Sequence, residues 1–185
     1  TDFQAAAAGG AWTFIRSITA STDSDVQFIN GTGGTVLDST YIAYQIWAFN
    51  VETSVDDRTI SLLFSVDGGS SYVTSGYKTS GARIYSGGFN DRSYTDQAME
   101  ENAIGTAGNE NAAFIFTLFD PGTATDFTKY QFKGNAITPA GLIHWFEGAG
   151  QYCVADNVDA IKIYLTGAST PLISGTFKLY GLTGS

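Results

Sequence analysis

Residues 158–165 read Val-Asp-Ala-Ile-Lys-Ile-Tyr-Leu and residues 173–182 read Ile-Ser-Gly-Thr-Phe-Lys-Leu-Tyr-Gly-Leu, and both stretches alternate apolar and polar side chains. Ile161, Ile163 and Leu165 fall on one face with Lys162 and Tyr164 on the other. In the second stretch Phe177 and Leu179 oppose Thr176, Lys178 and Tyr180. A period of two is that of a half-buried antiparallel strand, and it leaves no room for a helix face. The connector, residues 166–171, is a Gly/Ser/Thr/Pro cluster too short for a crossover helix, so the pair is expected to form a hairpin that closes a β-sheet.

The same alternation recurs along the chain. Residues 12–18 form the first credible strand, with Trp12, Phe14 and Ile18 on one side and Arg16 interrupting that face; residues 26–29 suit a short second strand. Residues 41–51 carry apolar groups on both faces, Tyr41, Trp47, Phe49 and Val51 alternating with Ile42, Tyr44 and Ile46. A strand of that kind is covered on both sides, either at the centre of a sandwich or at a subunit interface. Residues 59–66 and 71–77 flank Asp67-Gly68-Gly69, whose glycines accept positive φ and suit a turn, with Asp67 capping it through its carboxylate. Residues 113–120, 130–133 and 142–146 complete a set of about eight to ten strands. With 22 glycines, 13 phenylalanines, 10 tyrosines and 3 tryptophans but only 15% charged residues, the chain has little material for amphipathic helices. The expected fold is all-β, an antiparallel β-sandwich of jelly-roll type with one long polar insertion loop.

That insertion is residues 86–111, rich in Asp, Glu, Asn and Gly; its middle, 94–104, has enough helix formers for two or three turns. Long loops inside compact domains tend to carry function. Residues 1–11, with five alanines, two glycines and Phe3, read as an arm ahead of a single domain, residues 12–185. There is no internal repeat.

The SGTFKLYGL stretch at 174–182 resembles the closing strand of a jelly-roll domain that recurs in tailed-bacteriophage virion proteins. Residues 65–77, with Ser65, Asp67-Gly68-Gly69, Tyr72 and Gly76-Tyr77, resemble an upstream hairpin of the same group, in the expected order. The resemblance spans roughly residues 12–182 and implies a jelly-roll fold, a virion setting and a trimer. No catalytic motif comes with it.

Several function classes are disfavoured by charge and residue type. Nine Lys and Arg against 18 Asp and Glu give a net charge of −9, the wrong sign for nucleic acid or an anionic membrane surface. No apolar run approaches the roughly 18 residues of a membrane span. The N-terminal residues lack the cationic and apolar regions of a signal peptide. One cysteine, Cys153, cannot form an internal disulfide, which fits assembly in a reducing cytoplasm, and it is expected as a small core residue.

Catalytic constellations are equally thin. The only histidine, His144, shares a strand face with Leu142 and Phe146 and is expected in or beside the core rather than as a general base. Zinc has too few ligands. Asp23-Ser24-Asp25 and 156–159 are oxygen-rich enough for calcium, but Asx turns explain them. A two-carboxylate glycosidase would draw on Asp56-Asp57, Glu100-Glu101 or Glu147, although adjacent acids in a strand face opposite ways. No enzyme, cofactor or metal is therefore expected.

What remains is binding and assembly. The leading expectation is a capsid decoration or cement protein, found on the virion after assembly in the host cytoplasm. It would bind the major capsid protein or another virion protein as an oligomer, a trimer by the resemblance. Phe3, Gln4 and Trp12 would form its assembly arm. The alternative is a tail-fibre or receptor-binding module reading a host-surface glycan, with Tyr85, Phe89, Arg92 and Tyr94 as the candidate surface-binding loop.

Overall fold

The computed structural model describes residues 12–85, 88–167 and 171–184, and every regular element among them is a strand. In chain order these are β1 (Trp12–Asp23), β2 (Asp25–Ile29), β3 (Ala43–Thr53), β4 (Arg58–Ser65), β5 (Tyr77–Tyr85), β6 (Gly88–Tyr94), β7 (Met99–Ile104), β8 (Ala112–Phe119), β9 (Lys129–Ile137), β10 (Ile143–Tyr152), β11 (Ala160–Thr166) and β12 (Ile173–Leu182). They form two antiparallel sheets, β1-β12-β3-β8-β9-β10-β5-β6 and β2-β11-β4-β7. None of the described residues belongs to a helix long and apolar enough to cross a membrane.

The pairing is that of a rolled hairpin. Strand β4 pairs with β7, β3 with β8, β2 with β11 and β1 with β12. Rolling that long hairpin adds the contacts β12–β3 and β11–β4. Eight strands so wound make a jelly roll. The other four are two hairpins inserted into it, β5–β6 between β4 and β7 and β9–β10 between β8 and β11. They join each other through β10 and β5, widening one sheet from four strands to eight.

Core packing follows from strand parity. Phe28, Ile60, Leu62, Phe64, Ile161 and Ile163 from the small sheet meet Tyr44, Ile46, Phe116, Phe177 and Leu179 from the large one, all essentially inaccessible to solvent. Phe64 is the hub, with its ring 5.5 Å from Tyr77, 6.1 Å from Phe116, 5.5 Å from Tyr130 and 6.2 Å from Tyr152. The Leu179-Tyr180-Gly181 signature acquires a physical reading: Leu179 fills the core, Tyr180 faces outward, and bare Gly181 lets the Tyr41 ring lie across it. A paired irregularity, with Asn50 at φ 49° and Gly175 at φ 139°, keeps Phe49 outward and Val51 inward along β3. Gly175 is required there, since a Cβ would sit 3.0 Å from the Asn50 carbonyl oxygen.

Several expectations are corrected by this topology. Strands β11 and β12 are not a hairpin, because β11 pairs with β2 and β4 in one sheet and β12 with β1 and β3 in the other. The Asp67-Gly68-Gly69 turn exists, with glycine φ values of 71° and 78°, but it starts a crossing from β4 to β5 in the other sheet. Asp67 does cap it, accepting hydrogen bonds from the Ser71 N–H (2.9 Å), Ser71 Oγ (2.6 Å) and Ser65 Oγ (2.8 Å). The polar segment 86–111 is not one long loop and 94–104 is not helical: β6 and β7 occupy half of it, one in each sheet. A register shift between Phe14 and Arg16 separates Phe14, which faces out, from Ile18, which packs on the core. Among the described residues only one side of β3 is covered. Cys153 lies past the end of β10, half-buried rather than in the core, beside Gln151. His144 is buried, whereas Leu142 lies exposed in the β9–β10 turn.

Candidate functional site

The uncovered side of β3 opens onto the outer face of the eight-stranded sheet, and register assigns its neighbours. One row runs Lys178, Trp47, Ile115, Lys133, Glu147, Ala82, Asp91. The next runs Phe14, Tyr180, Gln45, Thr117, Gln131, Ala149, Ser80. On the other side lie Ala113, Asn135, Trp145, Ile84 and Phe89. Each step across the sheet is about 4.8 Å, so Trp47 and Lys133, two strands apart, flank a space about 10 Å wide.

Small residues make this face concave. Ala82, Ala149 and Ser80 sit opposite the bulk of Trp47, leaving a hollow of about 620 Å³ whose sides are Gln45, Thr117, Gln131, Lys133 and Glu147. A second hollow of about 350 Å³ continues from it past Phe49 and Asn135 to Trp145. Trp47, Ile115 and Lys133 line both, so the two form one trough.

Trp47 is held in place. Its Nε1–H donates to Gln45 Oε1 at 2.9 Å, and Gln45 Nε2 donates to Thr117 Oγ1 at 3.2 Å. Its ring lies 5.5 Å from Tyr180 and 6.2 Å from Phe49, and Tyr180 lies 5.7 Å from Phe14. With the indole N–H satisfied and one flank packed, the ring retains an apolar surface, 37% exposed, toward the trough.

The sequence-predicted binding residues divide between the faces of β5 and β6. Phe89, at 61% exposure, pairs with Ile84 on the outer face beside Trp145. Tyr85, Arg92 and Tyr94 have the opposite parity and turn toward the small sheet. There Arg92 donates to the Tyr94 hydroxyl at 3.0 Å, and that hydroxyl donates to the Glu100 carbonyl at 3.1 Å. Glu101, fully buried on β7, lies 3.7 Å from Arg83 and 3.5 Å from His144, and the His144 ring is 5.5 Å from that of Tyr85. Burial pushes the Glu101 carboxyl up to about 7, against the pull of Arg92 and Arg83. This cluster clasps the inserted β5–β6 hairpin to β7.

Trp12 begins β1, opposite Leu182 and 37% exposed, while Phe3 and Gln4 lie outside the described residues. No three acidic, histidine or cysteine side chains gather into a metal site among the described residues. Sequence reading missed Gln45, Trp47, Gln131, Lys133 and Trp145 as site residues, and weighed Glu147 only as one carboxylate of a glycosidase pair. The signal was there in Gln45-x-Trp47, Gln131-x-Lys133 and Trp145-x-Glu147, each placing two long side chains on one strand face; their adjacency needed the register.

No family model matches the chain, and no curated protein does. Among solved structures, the CBM2 module of the evolved Dit of Lactobacillus casei BL23 phage J-1 aligns over 96% of this chain and 81% of that one, at 8% identity and a TM-score of 0.27.

Proposed function

We propose that this protein is a carbohydrate-binding module, holding a glycan across the outer face of its eight-stranded sheet, and that it serves as a component of a phage virion. The observation that carries the binding reading is the open trough past Trp47, walled by amides, a hydroxyl, an ammonium and a carboxylate. A pyranose has an apolar C–H face and a rim of hydroxyls. The exposed Trp47 ring suits the first, while Gln45, Gln131 and Glu147 suit the second. The trough is open along the sheet, which suits an internal stretch of a polymer. The virion setting rests on the resemblance of the 174–182 strand and the 65–77 segment to phage jelly rolls.

Binding without turnover is part of the proposal. Hydrolysis of a glycoside calls for two carboxylates flanking the scissile bond. Of the acids considered, Glu147 alone lines the trough, and Glu101 is buried behind the sheet.

The test is affinity electrophoresis through polysaccharide-containing gels, together with binding to intact host cells. Trp47→Ala should weaken binding about tenfold or more without changing the β-sheet circular dichroism. Failure of the intact protein to bind any polysaccharide or cell surface would overturn the reading.

A shell-decoration role is the second reading, favoured by one observation. Among the described residues strand β1 is an edge of the large sheet, and it carries exposed Trp12 and Phe14. An edge of this kind can add a strand from a neighbouring subunit or capsid protein. Light scattering on the intact protein and on Trp12→Ser/Phe14→Ser separates the two: a trimer lost in the variant, with glycan binding intact, assigns that edge to assembly.

A further inference from the structure

We infer that the glycan read by this trough is anionic, a polysaccharide bearing carboxylate or phosphate groups; the inference rests on the carbohydrate-binding reading above. Its basis is where the cations lie. The chain as a whole carries −9, yet four of its five lysines, Lys78, Lys129, Lys133 and Lys178, project from the outer face of the eight-stranded sheet. Three of the four arginines are engaged elsewhere, and the fourth, Arg58, begins β4 in the small sheet. Arg16 bonds the Thr32 carbonyl and Thr35 hydroxyl, and Arg83 and Arg92 reach Glu101 and Glu100.

On the lysine face only Lys129 has an acidic partner, Asp126 at 3.5 Å; Lys78, Lys133 and Lys178 form no ion pair among the described residues. Lys133 and Glu147 oppose each other directly in the β9–β10 register and still do not pair. In the smaller hollow, between Trp47, Phe49 and Trp145, Lys133 is the one charged lining residue. Lys178 stands at the rim of that hollow, its ammonium 5.9 Å from the Phe49 ring centre. Lys178 and Lys133 lie three strands apart in a single row, roughly 14 Å, with Trp47 and Ile115 between them. Two unpaired ammonium groups on either side of an aromatic platform suit a sugar stacked on Trp47 with acidic groups on its flanking residues. Glu147, on the opposite wall of the larger hollow, then accepts from hydroxyls.

Local charge, not net charge, governs such contacts: the roughly 10 Å screening length at ordinary salt hides the acids on the far sheet. Of the two acids in this row, Asp91 stands three strands beyond Lys133, roughly 14 Å away, which leaves Glu147 as the near one. The experiment measures binding of the full chain to polygalacturonate, to a glycerol-phosphate teichoic acid and to uncharged dextran, each at low and high salt. Lys133→Ala/Lys178→Ala is compared with Lys162→Ala, which removes a lysine from the small sheet instead. An anionic polymer should bind preferentially and weaken with salt. The double variant should lose about tenfold, and Lys162→Ala should lose nothing. Binding of the uronate alone or of the teichoic acid alone supports the inference and identifies the acidic group. Dextran bound as tightly as the acids, with no effect of salt or of the double variant, overturns the anionic assignment and leaves glycan binding standing. Binding to none of the three, nor to host cells, sinks both.

Discussion

Replacing Glu101 with Gln probes the joint between the inserted β5–β6 hairpin and the small sheet. Glu101 is fully buried, and burial raises its carboxyl from 4.5 to about 7 although Arg92 and Arg83 draw it down. The unfolded chain ionises the same group near its ordinary value, so the native state holds the proton more tightly. Its contribution is therefore fully present below about pH 4.5, declines as pH rises toward 7, and is level above that. At about 1.4 kcal/mol per pKa unit, the native protein loses roughly 3 kcal/mol across that window, near 8 °C in Tm for a domain of this size. Gln has the same length and does not ionise. Urea unfolding of both proteins between about pH 4 and pH 8, followed by tryptophan fluorescence, gives the comparison. The stability of Glu101→Gln relative to the native protein should rise by roughly 3 kcal/mol over the window and then stay constant. A relative stability that does not change with pH, or that changes in the opposite sense, would refute the argument: Arg83, Arg92 and His144 would then balance or outweigh desolvation and the repulsion from Glu100.

Other perturbations follow from the same geometry. Phe64→Ala removes the ring shared by four aromatic neighbours and should cost about 4 kcal/mol or more in denaturant unfolding. Tyr77→Phe deletes a hydroxyl that accepts from the Phe64 N–H at 2.9 Å and donates to the Val73 carbonyl at 3.1 Å. The orphaned N–H predicts a loss of about 1–3 kcal/mol, and an unchanged midpoint would show that another acceptor replaces it. Gly181→Ala drives a methyl into the Tyr41 ring and should destabilise by about 1–3 kcal/mol, with Tyr41→Ala in the same chain restoring much of it in a double-mutant cycle. Hydrogen bonds from Ser71 and Ser65 hold the Asp67 carboxyl at about 2, so its NMR titration should lie well below that of an ordinary aspartate, and Ser71→Ala should move it back up.

Strand periodicity made the faces legible in the sequence. Ile161, Ile163, Phe177 and Leu179 point inward as their alternation requires, and so do Tyr44 and Ile46. Pairing was not legible, because period two says which side a residue faces and nothing about which strand lies beside it. Hence β11 and β12, close in sequence, were expected together and lie in different sheets. Polar strands were hidden for another reason. Strand β6 is an edge whose outer face meets solvent, and β7, Met-Glu-Glu-Asn-Ala-Ile, buries a carboxylate that composition assigns to a loop. The trough fell in the same blind spot. Trp47 looked like half of a doubly covered strand, and only the register brings it level with Lys133 and Glu147.

The β1–β12 ladder begins with Trp12 opposite Leu182, so the chain enters and leaves the domain at the same corner. Tension applied across those two points would load the ladder one hydrogen bond at a time, as a zipper is opened, rather than shearing all of them together. A domain wired this way is mechanically soft along its own chain. It holds best as a pendant tethered at one point, where an external load never passes through the seam.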